Sequence, residues 1–268
     1  MFVAISLAVA VALSACAAGG TAKPTPTTTA LVKPSYLPAP PSADCEDGVT
    51  KAPPSSTLWI GADGAWFHAG LVGPDTDTTV AVLVHQSNLG YCGWWKYAAY
   101  LSEHGVRTVL LNLCGYGATV CPDDEPLMAS GAQAVLAAAQ WARAHGATRV
   151  VTLGASMGGT AVVLAASEDK GHALDAVADL SGPIVYEDAV TTGAGSTITI
   201  ASFFAVDPND EVVGGGQLEG LASEIKGPTP ILHLDGSGHG WDLLTVLNQF
   251  NPLAAQLADF IQGTPATN

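Results

Sequence analysis

The sequence predicts an α/β fold: a mostly parallel twisted sheet, an N-terminal antiparallel hairpin, helices on both faces and little or no lid. Apolar, β-branched runs such as residues 78–86 are typical of strands buried on both faces. Helical patterns alternate with these runs, which favours right-handed crossovers between parallel strands. Residues 57–73 alternate around an Ala-Asp-Gly turn, which predicts the hairpin.

The remaining elements follow from local patterns along the chain. Buried or half-buried strands are expected at 78–86, 106–117, 148–154, 174–182, 197–206 and 230–236. Helices are expected at 94–105, 128–146, 158–168 and 251–263. In the last helix, Asn251 is expected as the N-cap and Pro252 as the first helical residue, because both residue types favour those positions.

Composition bounds the class of protein. The chain has 268 residues, of which 48% are hydrophobic, so one domain with a sizeable core is expected. The net charge is −15 with only nine Lys and Arg, so the chain lacks the basic face that nucleic acid or an anionic lipid surface would need. Residues 57–268 are expected to form the folded domain.

The N-terminus is expected to direct export. Residues 1–15 form an apolar segment that is typical of a signal peptide. Residues 13–16, Leu-Ser-Ala-Cys, resemble the lipobox of bacterial lipoproteins, in which the signal is cleaved before a cysteine that is then acylated. This resemblance implies a cell-envelope lipoprotein anchored through Cys16, with an ordinary secretory signal or an uncleaved membrane helix as the alternatives.

Residues 16–56 are rich in Pro, Thr, Ser and Ala and contain few large apolar side chains. Such a stretch cannot bury enough apolar surface to offset its ordering entropy, so a disordered or extended tether is expected there.

Four further cysteines are expected to form disulfides, because export favours oxidation and their number is even. Of the three possible pairings, we favour Cys114–Cys121, which closes a short loop, with Cys45–Cys92, which would join the end of the tether to the domain. No Cys or His cluster has the spacing of a metal site, so no metal is expected.

Three polar motifs follow predicted strands: Gly-Ala-Ser-Met-Gly-Gly at 154–159, Asp-Pro-Asn-Asp at 207–210 and Gly-Ser-Gly-His-Gly at 236–240. Ligands of parallel sheets bind outside the carboxyl ends of the strands, so these motifs are expected to meet there. A serine hydroxyl needs an imidazole to take its proton, and the imidazole needs a carboxylate to orient it.

These motifs resemble those of the α/β-hydrolase superfamily, in particular lidless members of the dienelactone-hydrolase and esterase type, over about residues 58–263. The resemblance implies Ser156 as nucleophile, Asp210 as acid and His239 as base. Asp207 competes with Asp210, but the residues after Asp210 fit the family's step into the next helix.

The resemblance also implies an oxyanion hole. Its donors would be the backbone N–H of Met157 and that of Ser87 or Gln86. His85 is expected to support that loop through hydrogen bonds.

The other polar and aromatic candidates have less specific roles. Three of the histidines are expected near helix ends and one in the hairpin, all solvated: His104, His145, His172 and His68. Three tryptophans lie beside the expected site and would wall an acyl pocket or belong to the core: Trp94, Trp95 and Trp241.

The function implied is hydrolysis of small to medium soluble carboxylic esters through an acyl-enzyme, without a cofactor. Only about a dozen residues lie where members of the family insert a lid, which favours an open site. The alternatives are a non-catalytic envelope-associated binding protein with the same fold, and an acyltransferase or peptidase that uses the same three residues. The expected partner is the ester alone, with membrane contact only through Cys16; the sequence predicts no oligomeric state.

Overall fold

The computed structural model describes residues 31–45, 49–122, 128 and 131–264. The predicted signal peptide, Cys16 and the first part of the predicted tether lie outside the described residues. Within the described ranges, no helix has the length and apolar composition that crossing a bilayer requires.

The strands form one large sheet and two short hairpins. In chain order they are β1 (Ser55–Ala62), β2 (Ala65–Val72), β3 (Thr79–Val84), β4 (Val106–Leu111), β5 (Arg149–Ala155), β6 (Ala176–Leu180), β7 (Val185–Tyr186), β8 (Ala189–Val190), β9 (Ala201–Ala205), β10 (Ile231–His233), β11 (Thr245–Val246) and β12 (Gln249–Phe250).

Six α-helices and three 3-10 helices connect the described strands. The α-helices are α1 (Pro41–Asp44), α2 (Trp95–Glu103), α3 (Gly131–Ala144), α4 (Met157–Glu168), α5 (Gly215–Glu224) and α6 (Pro252–Gln262). The 3-10 helices are Gly90–Trp94, Ala194–Thr197 and Gly240–Leu244.

The large sheet has eight strands in the order β1-β2-β4-β3-β5-β6-β9-β10. The β1–β2 and β2–β4 pairings are antiparallel, and all the other pairings in the sheet are parallel. The predicted fold class is therefore confirmed, including the antiparallel hairpin at one edge.

Two hydrophobic cores lie on opposite faces of the sheet, as β3 illustrates. Val80, Val82 and Val84 belong to the core that contains residues of α3, α4 and α5. Ala81 and Leu83 belong to the core that contains residues of α2 and α6. Successive strand residues point to opposite faces, so a continuous apolar run is what a strand covered on both sides requires.

The hairpin turn and the last helix follow their local sequence signals. Asp63 and Gly64 have φ values of 47° and 78°, the positive values that a two-residue type I′ turn needs. The Asn251 side chain accepts a hydrogen bond from the Ala254 N–H at 3.3 Å and caps α6, as predicted.

The segment before β1 packs against the domain. The Trp59 Nε1–H donates to the Tyr36 carbonyl at 2.7 Å, and the Thr57 hydroxyl donates to the Pro38 carbonyl at 2.9 Å. Pro41 is buried, and its ring occupies the space that a side chain at Gly70 would fill. The prediction of a tether that extends to residue 56 is therefore wrong for this segment. Its backbone carbonyls find hydrogen-bond donors on the side chains of β1, and these contacts hold the proline-rich chain against the domain.

Both favoured disulfides, Cys45–Cys92 and Cys114–Cys121, are present. The first spans 47 residues and joins the segment before β1 to the 3-10 helix that precedes α2. In the chain-entropy model, closing a loop of that length lowers the entropy of the unfolded chain and so stabilises the folded state by about 4 kcal/mol.

Residues 181–200, between β6 and β9, contain only the β7–β8 hairpin and one 3-10 helix. About a dozen residues were expected in this insertion. The segment between β6 and β9 is longer, because β9 begins at Ala201 and not at the start of the predicted strand 197–206.

Candidate active site

Ser156 lies on a sharp turn between β5 and α4. Its φ and ψ are 50° and −119°, a strained conformation for a residue other than glycine. Its N–H donates to the Leu180 carbonyl at 2.9 Å, which fixes the turn to the end of β6. A Cβ at Gly158 would overlap the Val84 carbonyl, and one at Gly154 would overlap the Gly158 backbone. Glycine is required at both positions because the elements approach so closely.

Asp210 and His239 are joined by a hydrogen bond of 2.7 Å between Oδ2 and Nδ1. The Asp210 side chain is 1% exposed and that of His239 is 29% exposed. The second carboxylate oxygen accepts hydrogen bonds from the N–H groups of Val212 and Val213 at 2.9 and 3.1 Å. Since Nδ1 donates to the carboxylate, the neutral imidazole has its lone pair on Nε2, the state that a general base needs.

The Asp210 carboxyl is held in its ionised form. Burial is the largest influence on its pKa and acts to raise it, but hydrogen bonds from His239, Val213 and Val212 together outweigh burial and lower the pKa below its usual value. A carboxylate that stays charged can stabilise an imidazolium at His239.

Asp207, the competing candidate for the acid, has different partners. Its Oδ2 accepts from the Gly238 N–H at 2.9 Å, and its Oδ1 accepts from the Asn209 N–H at 2.8 Å. The hydrogen bond from Gly238 is the main cause that lowers the pKa of Asp207. The geometry brings Asp210, and not Asp207, to the imidazole, while Asp207 fixes the backbone of the histidine loop.

The histidine loop packs against the turn that carries Ser156. A Cβ placed on Gly240 would lie 3.3 Å from the Cβ of Ala155, the residue before Ser156, and would overlap Gln86 Oε1. Gln86 Oε1 also accepts a hydrogen bond of 3.4 Å from the Trp241 N–H. The loops after β3, β5, β9 and β10 thus converge at the carboxyl edge of the sheet.

The predicted oxyanion donors lie at the start of α4, which is Met157, and in the loop after β3, which contains Gln86 and Ser87. Met157 is the first residue of α4, so its N–H has no acceptor within the helix. Ser87 is exposed, and its carbonyl accepts a hydrogen bond from the Tyr116 hydroxyl at 2.7 Å. His85 Nδ1 donates to the Gln86 carbonyl at 2.8 Å, and the Leu113 N–H donates to His85 Nε2 at 3.1 Å. His85 supports the loop, as expected.

Comparisons with solved structures agree with the observed fold. The chain is similar to an esterase of Pyrococcus furiosus, with 11% identity and a TM-score of 0.66 over 79% of this chain and 93% of that one. It is similar to a dienelactone hydrolase of Anabaena variabilis, with 16% identity and a TM-score of 0.63 over 80% and 99% of the two chains. It is also similar to a predicted CIB-like hydrolase of Thermoplasma acidophilum, with 19% identity and a TM-score of 0.62 over 78% of this chain and 99% of that one. The protein has the α/β-hydrolase fold.

No family model matches the sequence, and no curated protein matches it significantly. The likeness to known proteins is therefore a likeness of fold.

The buried histidines of the α/β-hydrolase domain are neutral at ordinary pH. Burial lowers the pKa of His85 to about 4. His68 was expected to be solvated, which is wrong: it is 1% exposed, and its Nδ1 accepts a hydrogen bond from the Asn112 side-chain amide at 3.2 Å. Burial lowers its pKa, although the nearby Asp44 acts in the opposite direction. The other three, His104, His145 and His172, are exposed as predicted.

The three tryptophans do not play one common role. Trp94 and Trp95 are 0% and 3% exposed and belong to the core under α2 and α6. Trp241 is half-buried, and its ring meets that of Trp94 edge-on with centroids 5.8 Å apart. All three also line one cavity, which lies beside the loops that carry Gln86 and His239.

The sequence analysis missed Asp179, the carboxyl group near the end of β6. It is 1% exposed, its Oδ1 accepts from the Gly182 N–H at 2.7 Å, and a side chain at Gly159 in α4 would overlap it. Burial raises the pKa of Asp179 to about 7, opposed by the hydrogen bond from Gly182. The sequence signal that could have identified it is a single acidic residue within the otherwise apolar run of β6. Among the residues that the model describes, no group of three His, Cys, Asp or Glu side chains could hold a metal ion.

Asp179→Asn is expected to change the pH dependence of stability. The folded pKa is higher than the unfolded one, so the native state binds more protons between about pH 4 and 7, and the free energy of unfolding falls as pH rises through that window. The uncharged variant lacks this loss. Urea unfolding at pH 4.5 and 8.5 should show that the free energy of unfolding of the variant, relative to that of the native protein, rises by about 3 kcal/mol from the lower to the higher pH. An equal difference at both pH values would contradict the raised pKa.

Proposed function

We propose that the protein is a serine hydrolase that cleaves carboxylic esters of small to medium size. The observation that carries the proposal is the 2.7 Å hydrogen bond between Asp210 and His239 on loops that pack against the strained turn of Ser156. A binding protein with this fold would not need a buried carboxylate aligned on an imidazole beside a strained serine.

In the first step, the Ser156 Oγ attacks the ester carbonyl carbon while His239 Nε2 takes the hydroxyl proton. The carbonyl π electrons move to the oxygen, which accepts hydrogen bonds from the N–H of Met157 and from that of Gln86 or Ser87. As the tetrahedral intermediate collapses, the bond to the alcohol oxygen breaks, and His239 returns its proton to the leaving alcohol.

In the second step, His239 takes a proton from water, and the resulting hydroxide attacks the acyl carbon. The bond to Ser156 Oγ then breaks, and the serine regains its proton. An acyltransferase would follow the same course with another alcohol in place of water. We favour hydrolysis because the short segment between β6 and β9 leaves the site open to water.

The direct test is labelling of the full-length protein with a fluorophosphonate probe, which reacts only with an activated serine. We expect one adduct, located at Ser156 by peptide mass spectrometry, and none after heat denaturation. A native protein that stays unlabelled would favour the non-catalytic alternative. Turnover of soluble chromogenic esters with and without competing alcohols then separates hydrolysis from acyl transfer.

We further propose that the protein is exported and attached to the cell envelope through an acylated Cys16. Support comes from the lipobox-like sequence and from the two disulfides, which form in oxidising compartments.

A further inference from the structure

A small cavity adjoins the catalytic loops and is not part of the chemistry described above. Its volume is about 260 Å³, and six of its lining residues matter here: Leu89, Gly93, Trp95, Tyr97, Trp241 and Phe250. Cavities for drug-sized ligands hold about 300–1,000 Å³, so this one is suited to a single ring or a short chain.

The cavity touches two loops of the proposed active site. Trp241 follows His239 by two residues, and its N–H donates to Gln86 Oε1. Leu89 belongs to the loop after β3 that also carries Gln86 and Ser87, and it is 63% exposed. A group in the cavity would therefore lie between the loop of the base and the loop of the oxyanion donors.

The wall of the cavity is part apolar and part polar, and it suits an uncharged group with an apolar portion. Aromatic rings from α2, from the 3-10 helix Gly240–Leu244 and from β12 form the apolar part, and Thr245 and Asn248 belong to the polar part. Lys96 and Asp242, which also line the cavity, are both exposed and carry opposite charges, so the wall has no net preference for an ion. Removing apolar surface of the ligand from water would supply the affinity.

Gly93 controls where the Trp241 ring lies. A Cβ at Gly93 would overlap the outer edge of the six-membered ring, so the ring occupies space that only glycine leaves free. The φ of Gly93 is not in the left-handed region, and the backbone therefore accepts alanine without strain. Any side chain at this position would push the ring and reduce the cavity that both residues line.

We propose that this cavity binds the apolar acyl or alcohol group of the ester, and that Gly93 and Trp241 together set the size of group accepted. This inference rests on the proposed function, because it assigns the substrate group that the same site receives.

The test compares kcat/KM for the native protein with that for Gly93→Ala and Trp241→Ala. One series of p-nitrophenyl esters varies the acyl group from acetate to hexanoate, and one series of acetates varies the alcohol from ethyl to hexyl. We expect Gly93→Ala to lower the ratio of long to short substrate about tenfold and Trp241→Ala to raise it about tenfold, in whichever series uses the cavity.

Gly220→Ala is the matched control, because a Cβ at Gly220 in α5 meets nothing within 4 Å. It should leave both ratios unchanged. Melting temperatures show whether each variant folds, and Trp241→Ala decides the matter if Gly93→Ala does not fold. Normal turnover with unchanged ratios in both series would overturn this inference alone, whereas a native protein without turnover or fluorophosphonate labelling would overturn the proposed function and this inference with it.

Discussion

Ser156→Ala is expected to lower kcat for a short-chain chromogenic ester by about a factor of 10⁶, since a serine that acts as one unit with its base leaves little activity when removed. Alanine keeps a Cβ and occupies the same φ of 50° at a cost similar to that of serine, so the turn should persist. The loss would then report the hydroxyl and not the fold.

The measurement is steady-state turnover of the purified variant, with its melting temperature as a check on folding. Ser223→Ala is a suitable control, because the Ser223 hydroxyl is exposed and donates only to the Gly220 carbonyl within α5 at 2.7 Å. If Ser156→Ala retained more than about one hundredth of the native kcat, the nucleophile would have to be another group.

Asp210→Asn is the second large effect and separates the two candidate acids. Asparagine fills the same space, but its uncharged amide neither fixes the tautomer in which His239 Nδ1 donates nor stabilises a positively charged imidazole. We therefore expect kcat to fall by about 10⁴. Asp207→Asn keeps a side-chain oxygen as acceptor for the histidine loop, and we expect it to lose less than about tenfold.

Both variants are measured by kcat and kcat/KM at a pH where the native protein is fully active. Fluorophosphonate labelling rates should follow the same order, because labelling needs the same activated serine. Equal losses in the two variants, or a larger loss in Asp207→Asn, would show that the hydrogen bond at Asp210 is not the one that matters for catalysis.

Most strands, and the convergence of the loops that carry Ser156, Asp210 and His239, could be predicted because their signals are local. A run such as 80–84 is apolar at every position only when both faces of a strand are covered, and β3 lies between the two cores. The glycines around Ser156 predicted a close approach of backbones, and the carbonyl of Val84 provides it.

The elements that the sequence did not predict depend on contacts between distant parts of the chain. The segment that contains Tyr36 and Pro38 has the composition of a tether, but its carbonyls meet donors on β1. His68 lies in a strand that looks half-exposed in the sequence, but the rings of Trp59 and Tyr91 pack against its ring. Helix α5 begins among glycines, which have low helix propensity, so packing of Leu218 and Leu221 against the core stabilises it.

The attachment of residues 36–45 to the domain limits how far an acylated Cys16 could hold the enzyme from a lipid surface. The Leu31 carbonyl also accepts a hydrogen bond from the Trp66 Nε1–H at 2.9 Å. About fifteen residues therefore separate Cys16 from the attached segment, and a fully extended chain of that length reaches about 50 Å. A protein anchored in this way would stay within about 50 Å of the bilayer, and it would meet molecules that diffuse close to the membrane before those in the surrounding fluid.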